Sequence, residues 1–389
     1  MRSRLQYTPR FGHCLAACLL VGVLALSGCA DTGYYLQSAR GHLAMMQAAK
    51  PVDELLADAQ TPPGLKARLE LALRIRRFAV TDLGLPDNAS YSRYADLGRP
   101  AVVWNVVAAP ALSLTLKTWC FPVTGCVGYR GYFDEAQARA LAGDLKAQGQ
   151  EVSVYGVPAY STLGWMNWAG GDPLLNTFIN YPDGELARLI FHELAHQVAF
   201  AKGDTVFNES FATAVERIGG ARWLAGQGSV RARADYAAFN ARRTQFRALA
   251  HATRQVLTAV YQENPDIALA DAAKLASKEI AMKNFRNQYA ALKAGWIASS
   301  SLEPALAARQ LGVYDAWVAN ANNAAFGAQA AYDDLVPGFE ALFEQASQQS
   351  DRPWPGFYDV VKRLAKLPAH ERDDSFKAEL QKRTEKNGG

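Results

Sequence analysis

The segment 191–197 holds two histidines and a glutamate at a spacing that suits zinc chemistry. His192 and His196 are four residues apart, so on a helix they share one face and lie one turn from each other. Two imidazoles in that arrangement can bind one Zn²⁺ ion per chain. Glu193 lies beside them, where a carboxylate can take a proton from a zinc-bound water. The segment therefore predicts a hydrolytic zinc site with Glu193 as the catalytic base.

A catalytic zinc also needs a third protein ligand and an open fourth position for water. The third histidine of the metzincin pattern is missing, because lysine stands at position 202, so Asp204, Glu209 and Glu216 remain as candidates. The twelve residues between His196 and Glu209 leave room for a turn and an antiparallel second helix, so Glu209 can offer an anionic ligand to the histidines. Glu216 lies two helical turns further on the same face. It either accepts the free N–H of a ligand histidine or is a solvated carboxylate.

Two helices must position these residues. The first is predicted to begin in the segment Pro182-Asp183-Gly184-Glu185, with Asp183 as its cap. A buried stripe along it is predicted by apolar residues that recur every four positions, at Leu186, Ile190, Leu194 and Val198. The second helix is predicted from Phe207 to Ile218, with a break at Gly219-Gly220.

The first 28 residues have the pattern of a bacterial lipoprotein signal peptide. Arginines precede an apolar run, Cys14–Leu26, which is too short to span a membrane comfortably. Leu26-Ser27-Gly28-Cys29 resembles a lipobox, so Cys29 is the predicted lipidation site; an ordinary secretory signal and a plain membrane anchor are the alternatives. Alanine at position 30 favours sorting to the outer membrane. The chain is then held at the envelope by its lipid anchor and faces the periplasm.

The remaining cysteines and the charge fit that compartment. Cys120 and Cys126 flank the turn-forming sequence Phe-Pro-Val-Thr-Gly, and in an oxidising periplasm they are predicted to form a disulfide. The formal net charge is only +4, with no basic patch interleaved with aromatic residues. This composition argues against nucleic-acid binding.

The patterns along the chain predict an α+β, mostly helical fold of the zincin-like metallopeptidase kind, with a small β-sheet followed by a helical bundle. Residues 29–85 form a helical N-terminal segment, 86–180 an α/β part with the cysteine loop, and 181–389 the zinc-site helices and the C-terminal bundle. One helix is predicted at Asp134–Ala147. Strands are predicted at Ala101–Val107, Leu112–Leu116, Val152–Tyr155 and Ser161–Trp165. Ala159–Trp165 is the predicted edge strand for an extended peptide, with an ordinary buried strand as the alternative.

The chain resembles the family of predicted bacterial lipoprotein aminopeptidases of the gluzincin type. The resemblance rests on Trp119–Phe133, Asp172–Leu175, Phe191–Gln197 and Phe207–Ala212. Within the last stretch, Asn208-Glu209-Ser210-Phe211-Ala212 is similar to the Asn-Glu-x-x-Ala sequence that supplies the glutamate ligand in gluzincins. The resemblance implies a zinc-dependent aminopeptidase with peptide or protein substrates.

An aminopeptidase must also hold a free α-amino group and a developing oxyanion. Gly164-Trp165-Met166-Asn167-Trp168 partly matches the gluzincin Gly-x-Met-Glu-Asn segment but lacks its glutamate, so Asp172 or Glu185 is the candidate to replace it. The candidate oxyanion donors are Tyr332, Tyr236, Tyr289 and His251. A polar cluster, Asn320, Asn322 and Asn323, either lines the cleft or forms a solvated loop.

Two other functions fit the same patterns. The chain could be an envelope endopeptidase that acts in quality control, which internal cleavage would reveal. It could also be a non-catalytic, partner-binding lipoprotein with a structural metal site, which a fourth protein ligand would support.

Overall fold

The computed structural model describes residues 29–386, except 123, 165, 263–269, 301 and 331–333. The predicted signal peptide, residues 1–28, lies outside the described residues, and Cys29 is described only as the first residue of a helix. Over the described ranges the fold is α+β and mostly helical, which confirms the predicted class. No helix in this part of the chain is both long and apolar enough to cross a membrane.

Helices dominate both ends of the chain, and short strands lie between them. The helices are α1 (Cys29–Ala48), α2 (Val52–Ala57), α3 (Pro63–Thr81), α4 (Glu135–Ala147), α5 (Asp183–Ala195), α6 (Thr205–Gln227), α7 (Val230–Tyr261), α8 (Asp271–Ala298), α9 (Pro304–Gln310), α10 (Gly312–Ala319), α11 (Asn323–Ala330), α12 (Val336–Gln349), α13 (Pro353–Lys366) and α14 (Ala369–Lys386). The strands are β1 (Lys50–Pro51), β2 (Arg93–Ala95), β3 (Val103–Pro110), β4 (Trp119–Phe121), β5 (Gly125–Val127), β6 (Arg130–Tyr132), β7 (Gln150–Val157) and β8 (Leu174–Leu175).

The strands form three small sheets. The largest has the order β6-β3-β7, with both pairings antiparallel and Asn105 of β3 opposite Tyr155 of β7. A second sheet has the order β1-β2-β8, in which β2 and β8 run parallel. The third is the β4–β5 hairpin, where Cys120 faces Cys126.

Two predicted strands are wrong. Leu112–Leu116 is irregular, because β3 ends at Pro110 and a turn follows, closed by Ser113 N–H donating to Pro110 O at 3.2 Å. The predicted edge strand at Ala159–Trp165 is also irregular where it is described, with positive φ at Leu163 (56°) and Gly164 (79°). The main chain of this segment bonds to a side chain where a strand would bond to a neighbouring strand: Thr162 N–H donates to both carboxylate oxygens of Asp172 at 3.1 Å.

The predicted break at Gly219-Gly220 is also wrong, because α6 runs through it to Gln227. Both glycines are buried where α6 packs on its neighbours. A Cβ on Gly219 would lie 2.6 Å from Leu83 Cδ1, and one on Gly220 would lie 2.8 Å from Arg188 Cγ. Glycine therefore allows close helix packing here, at a modest cost in helix propensity.

The helix α5 lies in the main hydrophobic core. Leu186, Ile190 and Leu194 are almost fully buried, and their stripe packs α5 against α3 and α6. Helices α12 and α13 add aromatic rings from the other side of α6, including Phe339 and Phe357. A second, separate core joins α7 and α8 to the short helices α10 and α11. The site helices thus rest on a rigid framework.

Candidate metal centre

The two histidines lie at the C-terminal end of α5. Pro182 is the residue before the helix, and Asp183, predicted as the cap, lies in the first turn, where it pairs with Arg68 at 2.6 Å. His192 is in the last turn and His196 is the first residue beyond the helix. Both rings face α6, because the Nε2 atom of each lies within 3.7 Å of Glu209 Oε2.

Asn208 sets the turn that brings α6 alongside α5. Its side-chain carbonyl accepts from Ala201 N–H at 2.7 Å, and its amide donates to Ala201 O at 2.8 Å. Asp204 caps α6 by accepting from Phe207 N–H at 2.9 Å and also pairs with Arg372. Asp204 is therefore committed to the turn, and Glu209 is the acid that faces the histidines.

The metal triad, which we define as His192, His196 and Glu209, converges on one point. The Nε2 atoms of the histidines lie 3.2 Å apart, and Glu209 Oε2 lies 3.2 Å from His192 Nε2 and 3.7 Å from His196 Nε2. A tetrahedral zinc with bonds of about 2.0–2.1 Å requires ligand atoms about 3.3–3.4 Å apart. The donor set and its spacing therefore fit a zinc-like cation.

The triad is shielded but not sealed from solvent. The side chains of His192 and Glu209 are 12% and 13% exposed, and that of His196 is 8% exposed. Three protein ligands with residual access leave room for a fourth, non-protein ligand, as catalytic sites require.

Glu216 lies behind His192. One carboxylate oxygen is 3.2 Å from His192 Nδ1, and the other pairs with the buried guanidinium of Arg188. Burial alone would raise the pKa of Glu216, but Arg188 and His192 outweigh burial and lower this pKa to about 2. Glu216 therefore stays ionised near neutral pH and is suited to accept a hydrogen bond from the Nδ1–H of a metal-bound imidazole.

Burial and neighbouring charges shift the pKa values of the site residues in different directions. Burial raises the pKa of Glu193 to about 7, with further increases from Glu209 and Asp172 and a decrease from His192. Burial lowers the pKa of His196 to about 4, which leaves that imidazole neutral and free to bind a cation. For His192 the hydrogen bonds to Glu209 and Glu216 overcome burial and raise the pKa. A carboxylate poised near neutrality beside a cation site is the expected arrangement for a general base.

The described oxyanion candidates are occupied elsewhere. Tyr289 donates to Asp315 at 2.7 Å in the second core, and His251 is exposed on α7 beside Arg254. The ring of Tyr236 stands under Arg188, with 5.8 Å between ring centroid and guanidinium carbon. Tyr332 lies outside the described residues.

Three tyrosines that are not among the predicted oxyanion donors lie close enough to the acids of the site for those charges to raise the phenol pKa. Burial raises the pKa of Tyr129 and that of Tyr155, the latter to about 12, and the negative charge of Glu209 adds to both increases. Burial likewise raises the pKa of Tyr91, with a further contribution from Glu193. Tyr155 belongs to β7 and Tyr129 directly precedes β6, so the charge of Glu209 acts on two phenols of the sheet. The only sequence signal for these tyrosines is that Tyr129 lies in Trp119–Phe133, one of the stretches that carry the family resemblance.

The polar asparagine cluster does not line a cleft. Asn323 donates to Pro110 O at 3.0 Å, and Asn322 donates to Val152 O at 3.0 Å. Asn320 bonds within its own helix, to Ala316 O at 2.8 Å. The cluster therefore joins the second core to the sheet.

Neither candidate for binding an α-amino group is free to do so. Asp172 is 1% exposed and accepts from Thr162 N–H and from Gln197, the residue after His196. Glu185 pairs with Arg188 and with Arg243. Asp172 instead holds the irregular segment after β7 against the end of α5.

The disulfide hairpin contacts the turn between the two site helices. Cys120 and Cys126 are joined by a disulfide that closes a short loop. Gly203 N–H donates to Thr124 O at 2.9 Å, so the hairpin tip is bonded to the segment that precedes α6. The hairpin thus braces the turn that precedes Asn208 and Glu209 of α6.

Comparison with known proteins gives one match. A family model described as "Putative aminopeptidase" matches residues 33–376, which include every residue of the site. No curated protein and no solved structure matches the chain.

Proposed function

The chain belongs to the family described as "Putative aminopeptidase", and from that membership we propose that it is a zinc-dependent aminopeptidase of the bacterial cell envelope. The observation that carries the proposal is the metal triad, whose ligand atoms all lie within 4.8 Å of one another. Glu193 stands next to the first ligand with a pKa raised by burial to about 7. These are the parts that metal-assisted hydrolysis of a peptide bond needs.

In this mechanism His192, His196 and Glu209 would hold the zinc, which when bound would supply Lewis-acid chemistry to the scissile carbonyl and to water. Glu193 takes the proton of the attacking water and passes it to the leaving amine. Glu216 keeps His192 in the tautomer that presents Nε2 to the cation. The hydroxyls of Tyr129 and Tyr155 are the proposed donors to the developing oxyanion.

The envelope location rests on the N-terminus and the disulfide. We propose that residues 1–28 are removed and that lipidated Cys29 anchors the chain to the outer membrane, facing the periplasm. The Cys120–Cys126 disulfide supports an oxidising compartment. Retention of wild-type protein in the membrane fraction, and its release by Cys29→Ser, is the expected result of cell fractionation. Equal release of both forms would contradict the anchor.

One observation favours an endopeptidase as the second candidate. Both acids that could replace the missing glutamate of Gly164–Trp168 are committed, Asp172 to the main chain and Glu185 to arginines. An endopeptidase needs no acceptor for a free α-amino group. The position of cleavage therefore decides between the two activities.

The test uses a mixed library of free and N-acetylated peptides, with products identified by mass spectrometry. Stepwise loss of N-terminal residues from free peptides only is the expected result, and internal cuts would replace the exopeptidase assignment by an endopeptidase. Glu193→Gln is the matched control: it should retain zinc and lose turnover by about 10²–10⁴-fold. Turnover that survives in Glu193→Gln would reject the base. An absence of cleavage by zinc-loaded protein would favour a binding role.

A further inference from the structure

We infer that Arg188 is a positioning residue of the metal centre, which holds Glu216 in place so that Glu216 can orient His192. The inference rests on the proposed metal site and extends it, because Arg188 is neither a ligand nor the base. It belongs to α5 and lies one helical turn before His192.

The geometry divides the carboxylate of Glu216 between two partners. Oε1 pairs with Arg188 Nη2, and Oε2 lies 3.2 Å from His192 Nδ1. Because each oxygen has its own partner, rotation of the carboxylate would break both contacts together. Arg188 therefore fixes the direction from which Glu216 approaches the imidazole.

Charge explains why an arginine is needed there. The negative charge of Glu216 acts unfavourably on the carboxylates of both Glu193 and Glu209. Arg188 is 4% exposed, so solvent screens its attraction for Glu216 only weakly. Without it, Glu216 would keep His192 and Arg247 as cationic partners but would lose the contact that fixes Oε1, so its carboxylate would be free to rotate away from His192 Nδ1.

The position of Arg188 is itself supported from two more sides. Glu185 Oε1 lies 3.7 Å from Arg188 Nη1, and Glu185 in turn pairs with Arg243 of α7. Gly220 of α6 gives the arginine stem its space, since a Cβ there would lie 2.8 Å from Arg188 Cγ. Charges thus alternate from α7 to the metal centre: Arg243, Glu185, Arg188, Glu216.

The test measures the zinc dissociation constant of the whole mature chain by competition with a chromophoric chelator, together with the visible spectrum of the Co²⁺-loaded protein. Arg188→Met should weaken zinc binding about 10–100-fold, the usual cost of losing the partner that orients a ligand histidine. Its Co²⁺ bands should also shift. Arg188→Lys, which keeps the charge, should recover part of the affinity.

Arg68→Met is the matched control. Arg68 also pairs with an acid of α5, Asp183, but at the opposite end of the helix. It should lower thermal stability while leaving zinc affinity and the Co²⁺ spectrum unchanged. If Arg188→Met behaves like Arg68→Met in these measurements, Arg188 is merely structural and the inference is overturned.

Misfolding of Arg188→Met and a lack of peptide cleavage are two further outcomes of the experiment. If Arg188→Met does not fold, Gly220→Ala displaces the arginine without changing any charge, and normal zinc affinity in that variant overturns the inference. The measurement uses no peptide, so weakened zinc binding in the Arg188 variants upholds the inference even if the protein cleaves no peptide. Failure to cleave peptides would remove only the proposed activity. Failure of the wild-type chain to bind zinc overturns both.

Discussion

Replacing Glu193 by glutamine is expected to stabilise the metal-free protein, and to do so more strongly as the pH rises. Burial raises the pKa of this carboxyl from 4.5 to about 7 in the folded protein. A group whose pKa is raised by folding favours the folded state while it is protonated. That favourable contribution is complete below about pH 4.5 and is lost as the pH rises through about 7.

The size of the effect follows from the change in pKa. At about 1.4 kcal/mol for each pH unit, a rise from 4.5 to about 7 makes ionised Glu193 cost about 3 kcal/mol of unfolding free energy at pH 8. At pH 5 the same cost is below about 1 kcal/mol, because the folded state remains protonated. Glutamine never ionises, so it escapes the cost at both values. A bound divalent cation stabilises the charged carboxylate and should shrink the difference.

The assay is urea unfolding of chelator-treated wild type and Glu193→Gln at pH 5 and pH 8. Glu279→Gln, which alters an exposed carboxylate on α8, is the control and should change stability equally at both values. An advantage of Glu193→Gln that is the same at pH 5 and pH 8 would refute the reasoning. It would mean that Glu193 is solvated in the folded protein.

Two other variants test the support of the site. Asn208→Ala removes two buried hydrogen bonds to Ala201, so unfolding free energy should fall by about 2–3 kcal/mol and zinc affinity should fall with it; unchanged zinc affinity in a competition assay would separate the turn from the ligand. The double replacement of Cys120 and Cys126 by serine should lower unfolding free energy by about 2 kcal/mol, the entropic value for so short a loop. Wild type treated with reducing agent should show the same loss of unfolding free energy in urea. A loss in the serine variant alone would point to the substituted side chains.

Local patterns predicted the parts of the fold that depend on local physics. The helix after Asp134 is an example, because Asp134 caps it by accepting from Gln137 N–H at 3.1 Å. Pro304 and Pro353 begin α9 and α13, since proline lacks only an N–H that the first turn of a helix leaves unpaired.

The errors arose where distant residues decide the local structure. The segment after β7 alternates like a strand, yet its main chain donates at Thr162 to the carboxylate of Asp172, and no strand pairs with it over the residues described. The glycines at 219 and 220 are typical of a helix end, yet they serve contacts with Leu83 and Arg188. Sequence spacing alone cannot show which remote side chain fills the space beside a glycine.

Sequence spacing likewise predicted only part of the site. The spacing of the histidines and Glu209 follows from helix geometry and could be anticipated. The sheet tyrosines could not, because the pairing of strands and their packing against helices bring Tyr129 and Tyr155 within electrostatic range of Glu209.

The ion pair between Arg188 and Glu216 has a consequence for finding related enzymes in genomes. Both residues lie at fixed offsets from the ligands, so the site can be written as Arg-x3-His-Glu-x2-His followed by Asn-Glu-x6-Glu. This signature is longer than the zinc pattern alone and therefore arises by chance far less often. Sequences that retain the histidines but lack either the arginine or the last glutamate are expected to orient the first imidazole in another way, and they are candidates for a separate subgroup.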